Sequence, residues 1–230
     1  MRYGKLFLSV LLLASGWLAL GQTLFLPRQQ RVLDQARYVL EHWSISYVYG
    51  GSSWGDRNDC EQCNSCLAAK KPDKTLRLAV CPSCSSCSLD CSHFTYEVFK
   101  HAGLSARYLT TALMNRLDAP TLLRDYHLVD IGRRSQRALP GDLLVYDGHV
   151  VMLEKRHRDG RGDIIHVTSG RDLRGPGLGV QRERLAAIDS YRGPLLRILR
   201  HVELVQELRH VFLERKRLSP SGGAKGPAAP

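Results

Sequence analysis

Apolar and polar residues follow two different periods along this chain, and the changes of period mark out its elements. Val32, Leu33, Ala36, Val39 and Leu40 recur at helical spacing, with Asp34, Arg37 and Glu41 elsewhere. An amphipathic helix is predicted from Val32 to His42, behind a basic spacer from Pro27 to Arg31. Ile45 to Gly51 is β-rich and closes on a glycine pair that marks a turn. Asp90 is a good N-cap, Phe94, Val98 and Ala102 follow at four-residue spacing, and Gly103 supplies a stop. That predicts a helix with Cys91 in its first turn.

Further on, short helices are expected over residues 110–117 and 121–124, and an extended segment over 126–131. The turn Leu139-Pro140-Gly141-Asp142 launches a strand from Leu143 to Tyr146, and a second strand runs from His149 to Glu154. The tip from Arg158 to Asp163 leads into a third strand, Ile164 to Val167, so a β-hairpin is predicted around an Asp-Gly connection. Arg161-Gly162-Asp163 belongs to that hairpin rather than to an adhesion signal. Residues 195–202 read as a closing strand followed by a short helix over 203–213, with one long amphipathic helix as the alternative.

Three stretches break the pattern. Arg2 and Lys5 precede an apolar run from Leu6 to Leu20, and Ala19-Leu20-Gly21 places small residues at −3 and −1 of a cleavage site. Residues 1–21 therefore read as a secretory signal peptide, or as an uncleaved membrane anchor because apolar character resumes at Leu24. Residues 52–89 hold two C-x2-C-x2-C clusters, Cys60, Cys63 and Cys66, then Cys81, Cys84 and Cys87, joined by a polar linker. With little apolar material of its own, this insertion needs cross-links or a metal. The Gly/Ala/Pro-rich tail, 219–230, is expected to be disordered.

Composition changes the picture in one respect. The chain has 230 residues and a formal charge of +11, compatible with nucleic acid, anionic lipid or an acidic polymer. Export argues against nucleic acid and permits disulfides. The basic residues of the C-terminal region, Arg197, Arg200, Arg209, Arg215, Lys216 and Arg217, are expected to form a solvated basic surface.

The chemistry centres on Cys91. At a helix start, the dipole and free N–H groups favour a thiolate. Acyl transfer by cysteine also needs an imidazole and a polar group that fixes its tautomer. With nine histidines present, any one of them means little alone. Placement is more telling: His149 opens a strand after a glycine, and His166 lies on the neighbouring arm of the same hairpin. Strands sit about 4.8 Å apart, so two rings on one face meet. The plainer reading makes Cys91 one more cysteine and the histidines ordinary strand residues.

Taken together, Tyr47-Val48-Tyr49-Gly50-Gly51, Asp90-Cys91-Ser92, Leu139-Pro140-Gly141-Asp142-Leu143, His149-Val150 and Ile165-His166-Val167-Thr168-Ser169 occur in the order seen in NlpC-type peptidases. These are papain-like cysteine peptidases of the cell wall. The resemblance covers most of the chain from Val32 to about Val202 apart from the insertion, and implies a peptidase domain over residues 28–218. It implies an α+β fold, with the nucleophile's helix packed on a central antiparallel sheet that bears the histidines. It also implies Cys91 as nucleophile, His149 as general base and acid, His166 as the orienting residue, and Tyr47, Asp90 and Ser92 in substrate binding. The implied reaction is hydrolysis of an amide in a peptidoglycan stem peptide, next to D-glutamate, in the periplasm or cell envelope, with no cofactor. This sequence departs from the family in carrying His93 where glycine is common after Asp-Cys-Ser, and in the long insertion.

The six remaining cysteines admit three readings. Three disulfides, with fifteen connectivities, leave Cys91 as the odd free thiol. A zinc site takes four thiolates, such as Cys60, Cys63, Cys81 and Cys84. The run Cys81, Cys84, Cys87, Cys91 has ferredoxin spacing, but no proline follows it. The insertion is also a candidate docking site for a protein partner. A non-catalytic module, with the cysteine-rich segment binding a metal or partner on an NlpC-like scaffold, is the alternative to the enzyme.

Overall fold

A computed structural model describes residues 26–42, 45–70, 78–168 and 179–218. The N-terminal apolar stretch, Ser169 of the last motif and the 219–230 tail lie outside these residues. The fold is mixed α+β. A six-stranded antiparallel sheet has the order β4-β9-β5-β6-β7-β8. Its strands are β4 (Leu128–Gly132), β5 (Leu143–Tyr146), β6 (His149–Arg156), β7 (Arg161–Val167), β8 (Val180–Ala187) and β9 (Arg197–His201). A three-stranded sheet places β3 (Ser88–Leu89) between β1 (Ser46–Tyr47) and β2 (Ser52–Ser53), parallel to the first and antiparallel to the second.

Helix α1 (Pro27–His42) begins at the expected spacer, which is helical, with Pro27 at its first position. Proline lacks an N–H that would be unpaired there anyway. The next two amides, of Arg28 and Gln29, donate to the carboxylate of Glu207 at 2.8 and 3.1 Å. That glutamate lies on α6 (Val202–Leu218), longer than the short helix expected after the closing strand β9.

The helix α3 (Cys91–His101) starts and stops as predicted. Asp90 Oδ1 accepts from the His93 amide at 2.8 Å. At the other end Gly103 takes a φ of 78°, and the Leu104 amide turns back to the Phe99 carbonyl at 3.0 Å. Phe94, Val98 and Phe99 pack with Val32, Ala36 and Val39 of α1 onto Val145, Val150, Met152, Ile165 and Val167 of the sheet. The opposite sheet face buries Leu144, Tyr146, Val151, Leu153 and Ile164 under Ala138, Ile188 and Leu195. Both faces of β5 and β6 are therefore covered, which is why their sequences are continuous apolar runs rather than alternating ones. The short helices α4 (Thr111–Arg116) and α5 (Ala119–Tyr126) carry N-caps from Thr110 and Asp118.

The Leu139-Pro140-Gly141-Asp142 motif has a structural reason. Asp142 is fully buried and holds Arg200 of β9 through two hydrogen bonds, of 2.7 and 2.8 Å, while accepting from the Leu139 amide. Arg197 reaches the carbonyls of Met114 and Leu117 and pairs with Asp130. The expected basic surface is corrected accordingly: Arg197 and Arg200 are interior anchors, and Arg209, Arg215, Lys216 and Arg217 are the exposed charges.

In the insertion, α2 (Arg57–Ala69) was not predicted as a helix. Spacing by three puts Cys60, Cys63 and Cys66 on one of its faces. They pair in nested order with the second cluster: Cys60–Cys87, Cys63–Cys84 and Cys66–Cys81. The zinc set Cys60, Cys63, Cys81 and Cys84 is thereby corrected, since each sulfur is bonded to another sulfur instead of being a free thiolate. The same pairing removes Cys81, Cys84 and Cys87 from the ferredoxin run and leaves Cys91 free. Cys60, Cys87 and Leu89 belong to the main core, and Cys63, Cys81 and Cys84 to a small one around Val48 and Leu67. The segment is built into the body of the fold, not hung from it.

Candidate active site

Cys91 owes its place to its N-cap, because capping by Asp90 makes it the first residue of α3. Its sulfur lies 3.7 Å from the Thr111 hydroxyl, where α4 begins, and the residue is only 8% exposed. Burial pushes the thiol above its usual range, against the amides of Val150 and Ser92 and the Thr111 hydroxyl, which favour the anion. Removal from water thus opposes the helix-stabilised thiolate expected from the position of Cys91.

The two histidines meet on the sheet. Met152 pairs with Ile165 across β6 and β7, so the antiparallel count sets His149 diagonally from His166 on the same face. Nε2 of His149 lies 2.8 Å from Nδ1 of His166, and both residues are buried. Desolvation, then the neighbouring charges of His166 and Arg192, lowers His149 to about 3. Burial lowers His166 as well, partly opposed by Glu183. Both rings are neutral at pH 7.

Val150, whose amide favours the Cys91 anion, directly follows His149, so the sulfur sits beside the strand end that carries the ring. Among the described residues, the thiol makes no hydrogen bond to His149; Thr111 is its side-chain partner.

The predicted binding residues gather around the sulfur. Burial, then the anionic forms that Cys91 and Asp90 take at high pH, pushes Tyr47 up to about 12. Asp90 is held low despite its burial, because His93 and Ser92 donate to it. The Ser92 hydroxyl reaches Asp90 Oδ1 at 2.8 Å and lies 3.3 Å from the Tyr108 hydroxyl. His93, which follows Asp90-Cys91-Ser92, stacks on Tyr108 with centroids 3.8 Å apart. Its Nδ1 approaches Asp90 Oδ1 to 3.1 Å but makes no well-directed hydrogen bond, so that contact is electrostatic. The Ser92 hydroxyl, the His93 amide and His93 Nδ1 all meet Asp90 at Oδ1.

Sequence reasoning missed four neighbours. Thr111 and Tyr108 flank the sulfur and Ser92. Tyr191 and Glu183 touch the far nitrogen of His166, at 3.3 and 3.4 Å, and bond to each other. Glu183 sits in a charged strand, β8, that shows no alternation to reveal it.

Among the described residues no group of three or more histidine, cysteine, aspartate or glutamate side chains has the geometry to hold a metal ion. Nor is any helix among them long and apolar enough to cross a membrane. The three disulfides suit an oxidising, exported location. A scan of the chain against protein-family models found no match, and a search of curated proteins found none either.

Proposed function

We propose that the protein is an exported cysteine peptidase of the NlpC type, acting in the periplasm or cell envelope on amide bonds of peptidoglycan stem peptides next to D-glutamate. Cys91 is the nucleophile, His149 the base and acid, and His166 the orienting residue. The observation that carries this reading is the buried 2.8 Å contact between His149 and His166, on a strand whose next residue favours the Cys91 anion through its amide.

Because thiol and imidazole both start neutral, the proton moves during attack rather than before it. His149 takes the thiol proton as sulfur bonds to the carbonyl carbon and the C=O pair moves onto oxygen, close to the free amides that open α3. Collapse breaks the C–N bond, and the departing amine takes the proton from His149. Water then attacks the thioester with His149 as base, releasing the acid and restoring the thiol. Such proton transfer contributes about 10²–10⁴-fold in rate. Asp90, ionised beside the sulfur, and Ser92 and Tyr47 around it suit a substrate with a free amine.

The test is digestion of purified peptidoglycan, with released fragments identified by mass spectrometry. Wild type releases stem fragments, and Cys91→Ala, still folded, releases none. Equal release by that variant overturns the nucleophile. A second reading, a non-catalytic cysteine-rich module, is favoured by one observation: the resting thiol is bonded to Thr111 and not to His149. Absence of any fragment release by the folded wild-type protein supports it.

A further inference from the structure

The outer nitrogen of His166 faces two groups whose protons can be counted. The Tyr191 hydroxyl donates to Glu183 Oε1, which as a carboxylate oxygen only accepts. That bond uses the one proton Tyr191 has, so its oxygen, 3.3 Å from His166 Nε2, faces the ring as an acceptor. The second neighbour of Nε2 is Glu183 Oε1 itself, at 3.4 Å. With acceptors on that side, Nε2 must carry the hydrogen. A neutral imidazole has only one, so His166 Nδ1 is a lone pair. It then accepts from His149 Nε2 across their 2.8 Å contact, and His149 is left with a bare Nδ1.

We propose that Glu183, assisted by Tyr191, is a positioning residue that fixes the tautomers of both histidines, so that His149 presents a lone pair at Nδ1. This rests on the peptidase reading for its purpose, though not for its geometry. The bond between the two histidines has no direction of its own. If it ran the other way, His149 would carry a hydrogen on Nδ1 and would be no base there. With Glu183 absent, the Tyr191 hydroxyl is released to donate to His166 Nε2, and both tautomers reverse. Tyr191 cannot do the same work alone, because a hydroxyl serves as donor or acceptor with equal ease.

The experiment is long-range proton–nitrogen correlation NMR of the histidine rings in the full chain at neutral pH. In wild type, His149 and His166 are both expected as the Nε2–H tautomer, and His149 as Nδ1–H overturns the proposal without any variant. Glu183→Ala is expected to shift both rings toward Nδ1–H, whereas Tyr191→Phe keeps the wild-type tautomers because Glu183 still accepts. Glu183→Gln, which retains a carbonyl acceptor, should restore much of the wild-type pattern and guards against a folding defect in the alanine variant. Unchanged tautomers in folded Glu183→Ala overturn the proposal. In the peptidoglycan assay, Glu183→Ala is expected to lose at least about 10-fold in rate; a wrong histidine tautomer costs about 10⁴-fold in serine peptidases. Wild-type rings in the stated tautomers with no fragment release would refute the peptidase reading and leave the Glu183 assignment standing.

Discussion

His149 and His166 share a 2.8 Å contact in which neither ring is charged at neutral pH, and burial keeps the Cys91 thiol neutral too. This site rests as a thiol and an imidazole, not as a preformed ion pair.

Alkylation of Cys91 tests that state. The rate with iodoacetamide is expected to be slow at pH 6 and to rise about tenfold per pH unit through pH 9, following the thiolate fraction. A plateau that begins in acid would indicate a thiolate–imidazolium pair and overturn it. Thr111→Val should shift the curve to higher pH, because it removes the hydroxyl that favours the anion.

Folding stability should fall in mild acid. Unfolded, His149 binds a proton below about 6.5; folded, it does so only near 3. Between those values the unfolded chain holds more protons, so stability rises with pH there and is fully present above about 6.5. The slope is at most about 1.4 kcal/mol per pH unit for one proton. Denaturant unfolding at pH 7.5 and 4.5 should show a smaller acid loss in His149→Gln than in wild type. An equal loss in both would refute the assignment.

Glu207 links the two ends of the fold. Its carboxylate, buried in α6, accepts from the first amides of α1 and sits at the positive end of that helix dipole. Glu207→Ala is expected to cost about 1–2 kcal/mol in denaturant unfolding. Glu214→Ala, an exposed glutamate on the same helix, should be within about 0.5 kcal/mol of wild type. A Glu207 effect no larger than the Glu214 effect would dismiss the cap.

The nested disulfides make a mapping prediction. Non-reducing proteolysis should yield linked peptides for Cys60–Cys87, Cys63–Cys84 and Cys66–Cys81, with Cys91 alkylatable without reductant. Removing a disulfide typically costs about 2–4 kcal/mol. The double variant Cys60→Ser/Cys87→Ser should lose more stability than Cys66→Ser/Cys81→Ser, since it cuts into the main core. The reverse order would mean the insertion is held independently of the body.

Much of this was legible from local chemistry. Apolar spacing and an N-cap located α3 and the position of Cys91 within it, because capping and periodicity involve residues a few positions apart. The continuous apolar runs of β5 and β6 marked buried strands, and an odd cysteine count marked Cys91 as free. β8 was not legible, since Val180–Ala187 reads Val-Gln-Arg-Glu-Arg-Leu-Ala-Ala and its charges suit a sheet edge without alternating cleanly.

What only the tertiary structure decided depends on groups distant along the chain. The choice among fifteen disulfide connectivities came from a helix laying three cysteines against a facing segment. Arg197 and Arg200 look like surface charge until Asp130 and Asp142 are seen opposite them. The burial that raises the Cys91 thiol is likewise a product of the fold, whereas the helix terminus that favours its anion could be read from sequence. Glu183 became a neighbour of His166 only through strand pairing. Caps and periods are properties of a few adjacent residues, whereas solvent exclusion and proton position are sums over everything the fold brings near.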